Sequence, residues 1–419
     1  MTALTASSSR PADPALAVAA TLVAAALFLV GWGVLHRGFF AHDAIVDTPT
    51  YERYGSAMDD GQVPYRDFAV EYPPGALPVF LIPALGAPSS ETFRVRFESL
   101  MAFFGQAMIV CLAVALVALG ASRAWLIGAL GFAALAPVAL GPVVLSRFDL
   151  WPAALTAAAL CALVTGRLRL GHLALGAAIA AKLYPAVLAP LAVIYVWRRE
   201  GRREALVCAG FLVCVVVLAF APFVALAPGG VWDSLWNQAS RPLQIESLGS
   251  GVLLVAHHLF GTGIAMESSH GSQNLTGAAP DTLAALQTIL QVAVLVATWI
   301  LFARGPASPS RLMLASAAAL VAFVSLGKVL SPQFLIWLIP VIPPVIGRRG
   351  LAAATLLAAA LVLTQLWFPY RYWDLALGFG ALESWLVLVR DLVLVALLAV
   401  LLWSLLDRDP ERLAARSTA

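Results

Sequence analysis

The sequence predicts an all-α polytopic integral membrane protein with about ten full spans and one broken hairpin. Three observations lead there. Of 419 residues, 61% are apolar and only 12% charged; mean hydropathy is +0.89; and the apolar residues form long Ala/Leu/Val runs without alternation. One soluble core cannot absorb that much apolar surface, so lipid must act as solvent. A hydrocarbon core of about 30 Å takes roughly 20 residues per helix, and backbone polar groups inside it must be satisfied internally. Non-alternating runs meet that demand as helices rather than barrel strands.

Full spans are predicted at 15–36, 98–120, 124–145, 150–166, 204–227, 282–303, 312–327, 333–346, 350–368 and 386–406. The first run has no small-residue cleavage site after it and reads as a retained span rather than a signal peptide. The stretch 170–197 differs, because Arg167 and Arg169 precede it and Arg198, Arg199, Arg202 and Arg203 follow it. Basic flanks belong on the cytoplasmic side, so both of its ends lie inside. It is too short for two crossings, which predicts two short helices, Gly171–Leu183 and Pro185–Trp197, broken at Lys182-Leu183-Tyr184-Pro185. With the N-terminus inside, the cytoplasmic side holds 15 basic and 6 acidic residues and the other side 11 basic and 17 acidic. That assignment obeys the positive-inside rule and places the long loops 37–97, 228–281 and 369–385 outside. One membrane domain, 1–419, is expected, without internal repeats. All four cysteines lie in apolar runs, where they read as small hydrophobes.

Chemistry is expected on the outer loops, since long loops on a rigid scaffold are where function collects. The first contains His42-Asp43, Asp47 and Tyr51, then Gly61-Gln62-Val63-Pro64-Tyr65-Arg66-Asp67 and Glu71-Tyr72-Pro73-Pro74-Gly75, the chain's densest set of acids, arginines and tyrosines. Glycosyl transfer from a phosphate to a hydroxyl needs a carboxylate to take the acceptor's proton and cations to hold the leaving phosphate. Asp47 and Asp43 are the candidate bases, although Asp47 or Thr48 also suits the cap of a short helix starting at Pro49. Of 26 basic residues only Lys182 and Lys328 are lysine. Both fall at the outer side, in a chain that uses arginine for every cytoplasmic anchor, and an ammonium is a compact charge suited to phosphate. Snorkelling from a span end is the plainer reading for each. Arg241, in Arg241-Pro242-Leu243-Gln244-Ile245-Glu246, is a further phosphate candidate. Arg147/Asp149 and Arg390/Asp391 read as local ion pairs at helix ends. Tyr51, Tyr65, Tyr72, Trp367, Tyr370, Tyr372 and Trp373 suit sugar stacking or the interfacial aromatic belt. His257-His258 and His270 lack acidic partners at ligand spacing, so no metal site is expected. Asn274-Leu275-Thr276 fits the glycosylation pattern.

These segments resemble glycosyltransferase family 87, the polyprenol-phosphate-mannose-dependent mannosyltransferases of actinobacteria. The first loop carries the likeness, and Arg147-Phe148-Asp149, Lys182-Leu183-Tyr184-Pro185, Arg241 to Ser247 and Lys328-Val329-Leu330-Ser331-Pro332-Gln333 extend it in the same order over roughly residues 40–390. The resemblance implies a GT-C fold, a bacterial plasma membrane and an outward-facing active site. It further implies an aspartate base that maps onto Asp47, and inversion of a β-linked lipid-phosphate sugar without an obligatory metal. Asp43, four residues earlier, keeps the choice of base open. Lys182, Lys328 and Arg241 would hold the phosphate; Glu71, Arg66, Tyr51, Arg147, Asp149, Glu246 and Gln333 would line the substrate. Mannose is the sugar by analogy, with arabinofuranose and glucose open. The expected partners are a polyprenyl-phosphate sugar and a lipid or glycan acceptor, with no cofactor and no nucleic acid. The rival reading is a transporter or flippase of a lipid-linked sugar, which would also carry intramembrane cations and a broken hairpin.

Overall fold

The computed structural model describes residues 13–41, 45–86 and 89–407. Asp43 and His42 lie outside the described residues.

The chain opens with α1 (Pro14–Val34), whose N-terminus is capped by Asp13 accepting from the Leu16 N–H. The first outer loop is itself ordered into α2 (Thr48–Asp59) and α3 (Leu77–Ala84). Then come α4 (Ser90–Ala118) and α5 (Arg123–Leu140), begun by Ser89 and Ser122, whose hydroxyls accept from the amides of Thr92 and Trp125. Such caps satisfy donors that a helix start leaves orphaned. Helix α6 (Leu150–Val164) follows, then α7 (Leu168–Ala181), α8 (Ala189–Glu200) and α9 (Arg202–Leu226). The second outer loop holds α10 (Pro228–Ala239), β1 (Leu243–Gln244), α11 (Leu248–Phe260), β2 (Ala265–Ser269) and β3 (Ser272–Thr276). The chain ends with α12 (Ala278–Arg304), α13 (Pro309–Ser325), α14 (Arg348–Gln365), α15 (Tyr372–Gly378) and α16 (Ala381–Leu406).

Six of these, α1, α4, α5, α9, α12 and α16, are long and apolar enough to cross a membrane, and they coincide with six predicted spans. The protein is thus a helical, multi-pass membrane protein. The predicted spans 150–166, 312–327 and 350–368 appear as α6, α13 and α14, of 15, 17 and 18 residues. At 1.5 Å per residue all three are shorter than a hydrocarbon core of about 30 Å. The core lies among α13, which is buried along nearly its whole length, and the faces that α6, α7, α14 and α16 turn inward. Helices α9 and α12 sit at the periphery with mostly exposed apolar surfaces.

Two predictions are corrected. The stretch 333–346 is no helical span but a 310 turn, Pro332–Leu338, followed by irregular turns to Val345. Pro340, Pro343 and Pro344 remove the donors a helix would need there, and its side chains are buried in protein rather than set in lipid. The second outer loop, read as all loop, contains a three-stranded antiparallel sheet in the order β1-β3-β2, so the fold is all-α only apart from this small element. The Asn274 side chain is fully buried in it and donates to the Ser269 carbonyl at 2.8 Å, which removes the site as a glycosylation acceptor.

The broken hairpin is present. Helix α7 ends at Ala181, Lys182 is extended, a 310 turn covers Tyr184–Leu188, and α8 returns. Gly75 secures the first loop to this break: a Cβ there would stand 2.5 Å from the Ala180 backbone carbon, and the Trp151 indole donates to the Gly75 carbonyl at 3.0 Å. Backbone cannot give way as a side chain can. Gly75→Ala is therefore expected to cost about 1–3 kcal/mol, read as a lowered midpoint in thermal unfolding.

Candidate functional site

The short turn between α5 and α6 sends two charges in different directions. Arg147 and Asp149 flank Phe148, and all three are buried. The local pairing of Arg147 with Asp149 predicted from sequence does not form. Arg147 Nη1 instead makes an ion pair with Asp47 Oδ1 across the first loop, while Asp149 Oδ1 accepts from Lys182 Nζ and from the Trp337 indole, both at 2.6 Å. One turn thereby ties the first loop, the hairpin break and the segment after α13 together.

Asp47 stands at the N-cap position of α2, yet its side chain caps nothing. Its carboxylate faces Arg147 and accepts from the Tyr51 hydroxyl at 3.3 Å, and one third of the side chain is exposed. Tyr51 is packed against Phe80 (ring centroids 4.6 Å), Phe97, Phe148 and Tyr72, an aromatic wall that fixes the start of α2. The helix-cap reading thus describes where Asp47 sits but not what its carboxylate does.

Lys182 is not a snorkelling anchor. Its ammonium lies 4.5 Å from the Phe148 ring centre and 5.1 Å from that of Trp337, with Tyr72 and Phe334 each at 6.0 Å. A cation over several ring faces gains from their quadrupoles, more so when desolvated. Trp337 is itself stacked between Tyr184 and Phe334, with centroids 4.0 Å away on each side. Its role was missed in the sequence because 333–346 read as a lipid-facing span; the prolines there were the available signal.

Arg241 and Lys328 approach from the second outer loop and the end of α13. Lys328 Nζ donates to the Ala239 carbonyl at 3.1 Å, and the Lys328 carbonyl accepts from the Gln244 amide at 3.0 Å. The Arg241 charge acts on both lysines, and the Ala239 carbonyl that Lys328 reaches lies two residues before it. Arg241 makes no side-chain hydrogen bond among the described residues, and its Nε is buried. Burial lowers the pKa of its guanidinium, against the opposing pull of Glu246 and Glu71. Of the four cations here, Arg147 and Lys182 form ion pairs with carboxylates, whereas Arg241 and Lys328 form none among the described residues.

Glu246 is buried beneath this cluster, with Gln244 Nε2 donating to its carboxylate and Arg390 Nη2 donating to its backbone carbonyl at 2.7 Å. Arg390 and Asp391 pair at 2.6 Å as the sequence predicts, but they are completely buried inside α16 rather than at a helix end. Burial raises the Glu246 carboxyl to about 7, despite Arg390, Arg241 and Arg147 nearby. The folded state therefore favours the protonated acid. Its stabilising contribution is present at low pH and is lost as pH rises from the ordinary carboxyl range through about 7. Glu246→Gln is expected to flatten the decline of the unfolding temperature between pH 5 and 8, measured by thermal melts at constant ionic strength.

Arg66 stands apart from the cluster. It pairs with Asp67 at 2.9 Å in an exposed turn, and Arg66 with the Val63 amide holds the Asp67 carboxyl down to about 2. Gln333 is half-buried on the 310 turn. Glu71 lies within reach of the Arg241 charge and also lines a cavity of about 660 Å³ shared by the first loop and α10. A second cavity, of about 580 Å³, lies at the opposite ends of α6 and α7, around Arg167, Arg169 and Glu204, away from all of these groups. His257 and His258 are engaged by the Thr262 carbonyl and the Ser384 hydroxyl.

No protein-family model matches the chain, and no curated protein matches it.

Proposed function

We propose that the chain is an inverting membrane glycosyltransferase that moves a sugar, with mannose the first candidate, from a polyprenyl-phosphate donor to an acceptor hydroxyl outside the plasma membrane. The observation that carries the reading is the meeting of one accessible carboxylate, Asp47, with Arg147, Lys182, Arg241 and Lys328 from four separate stretches of chain. Gathering four cations, one of them buried and three partly so, is costly unless anions join them, and the two carboxylate ion pairs leave Arg241 and Lys328 for a phosphate.

In this mechanism the donor's phosphate sits against Arg241 and Lys328. Lys182, bound to Asp149, holds the hairpin break and the first loop in register. Asp47 takes the proton of the acceptor hydroxyl as its oxygen bonds to the anomeric carbon from the face opposite the phosphate. The bond from that carbon to the phosphate oxygen breaks, and its electron pair leaves with the phosphate. One displacement inverts the centre. Arg147 orients Asp47, and preorganised cations stabilise the charge that develops on the leaving group. The GT-C fold and the outward-facing site belong to the same proposal.

The test is transfer of radiolabel from polyprenyl-phosphate-mannose to membrane lipids or glycans by membranes carrying the protein. Labelled product absent from control membranes supports the reading. Failure with mannose, glucose and arabinofuranose donors alike would sink it in favour of transport.

A further inference from the structure

The cavity between the first outer loop and α10 uses polar groups that the fold leaves unspent. Glu71, Asp233 and Asn237 line it and make no side-chain hydrogen bond or ion pair among the described residues. Arg66 and Asp67, also in its wall, satisfy one another. Its wall therefore carries two carboxylates that form no ion pair among the described residues. The geometry around it is firmly held: Tyr65 adopts φ 66°, its hydroxyl donates to the Tyr72 carbonyl at 2.6 Å, and a Cβ on Gly230 would overlap the Tyr65 carbonyl oxygen. Only glycine lets α10 come so close to the loop. The outer face of α10 carries Trp232 and Trp236, both more than half exposed, with rings stacked at 6.0 Å. Following directly on the apolar α9, such a pair marks the level of the membrane interface.

We propose that this cavity is the acceptor subsite and that it takes a neutral, hydroxyl-rich saccharide. This rests on the glycosyl-transfer reading above. Carboxylates and an amide accept and donate to sugar hydroxyls in charge-assisted bonds, while two unpaired carboxylates repel a phosphorylated head group. Glu71 joins the cavity to the transfer site, because it directly precedes Tyr72, whose ring centre lies 6.0 Å from Lys182 Nζ.

Donor-free binding tests this separately from transfer. Full-length protein in nanodiscs would be titrated with mannotriose, maltotriose, arabinotriose and mannose 6-phosphate, followed by saturation-transfer NMR. At least one neutral trisaccharide should bind, mannose 6-phosphate should not, and Asp233→Asn and Glu71→Gln should each weaken binding about tenfold. Asp233 is exposed, so its substitution leaves the fold intact, which an unchanged melting temperature checks. No trisaccharide binding, binding indifferent to both substitutions, or preferred binding of mannose 6-phosphate would overturn the assignment. Because binding needs no donor, it can stand even where the transfer assay fails.

Discussion

Membranes carrying Asp47→Asn are expected to lose transfer by about 10²- to 10⁴-fold at matched expression, the range for removal of a positioned general base. Asparagine keeps the shape of the side chain and its contact with the Tyr51 hydroxyl, but it cannot take the acceptor's proton. Arg147 is nine-tenths or more buried and would lose its charge partner, so a melting curve must accompany the assay. Asp47→Glu controls for that: it keeps the charge, should melt near wild type, and should recover only part of the activity because the base is displaced by one methylene. Asp43→Asn is expected to transfer within a few-fold of wild type. A loss confined to Asp43→Asn would move the base to that residue.

The largest stability effect is expected at Asp149. Its side chain is 1% exposed and serves two donors at once, Lys182 Nζ and the Trp337 indole. Asp149→Leu strands a buried ammonium and an indole N–H, and removal of one partner from such a pair costs about 3–5 kcal/mol. The double variant Asp149→Leu/Lys182→Met should regain much of that, because a buried pair replaced by apolar groups of similar volume is often neutral. Lys182→Arg should not be tolerated. The space among Phe148, Trp337, Tyr72 and Phe334 holds a compact ammonium, whereas a planar guanidinium needs more room and more acceptors. That gives a physical reason for a lysine in a chain that otherwise uses arginine. Thermal unfolding of the three variants checks the set.

Hydropathy marked the six long helices because span length is dictated by the bilayer and little else, although it missed helix ends that carry charges, such as the first two turns of α4 from Ser90. The hairpin break was legible for a similar reason: arginines on both flanks and a Lys-Leu-Tyr-Pro interruption admit few other arrangements. Partner choice was not legible. Arg147 and Asp149 are two residues apart, so a local pair is the natural expectation, yet the turn between α5 and α6 directs them to Asp47 and Lys182, which are remote in sequence. Trp337 was lost to the opposite error, since a run of apolar residues in a protein interior has the same composition as one in lipid. The sheet formed by β1, β2 and β3 escaped notice because its strands are only two to five residues long and its loop is rich in Ser, Gly and Thr. Both lysines were singled out from composition alone, and the structure separates them: Lys182 is committed to Asp149, and Lys328 donates to the Ala239 carbonyl and enters no ion pair among the described residues.

The central claim is a single displacement at the anomeric carbon driven by Asp47. It is tested most directly by incubating the purified protein in lipid with β-configured polyprenyl-phosphate-mannose and acceptor-containing membrane extract, then determining the anomeric configuration of the product by NMR. An α-linked mannoside, absent with Asp47→Asn, is the predicted result. A β-linked product would contradict the single displacement, and intact donor crossing the bilayer with no bond broken would contradict catalysis itself.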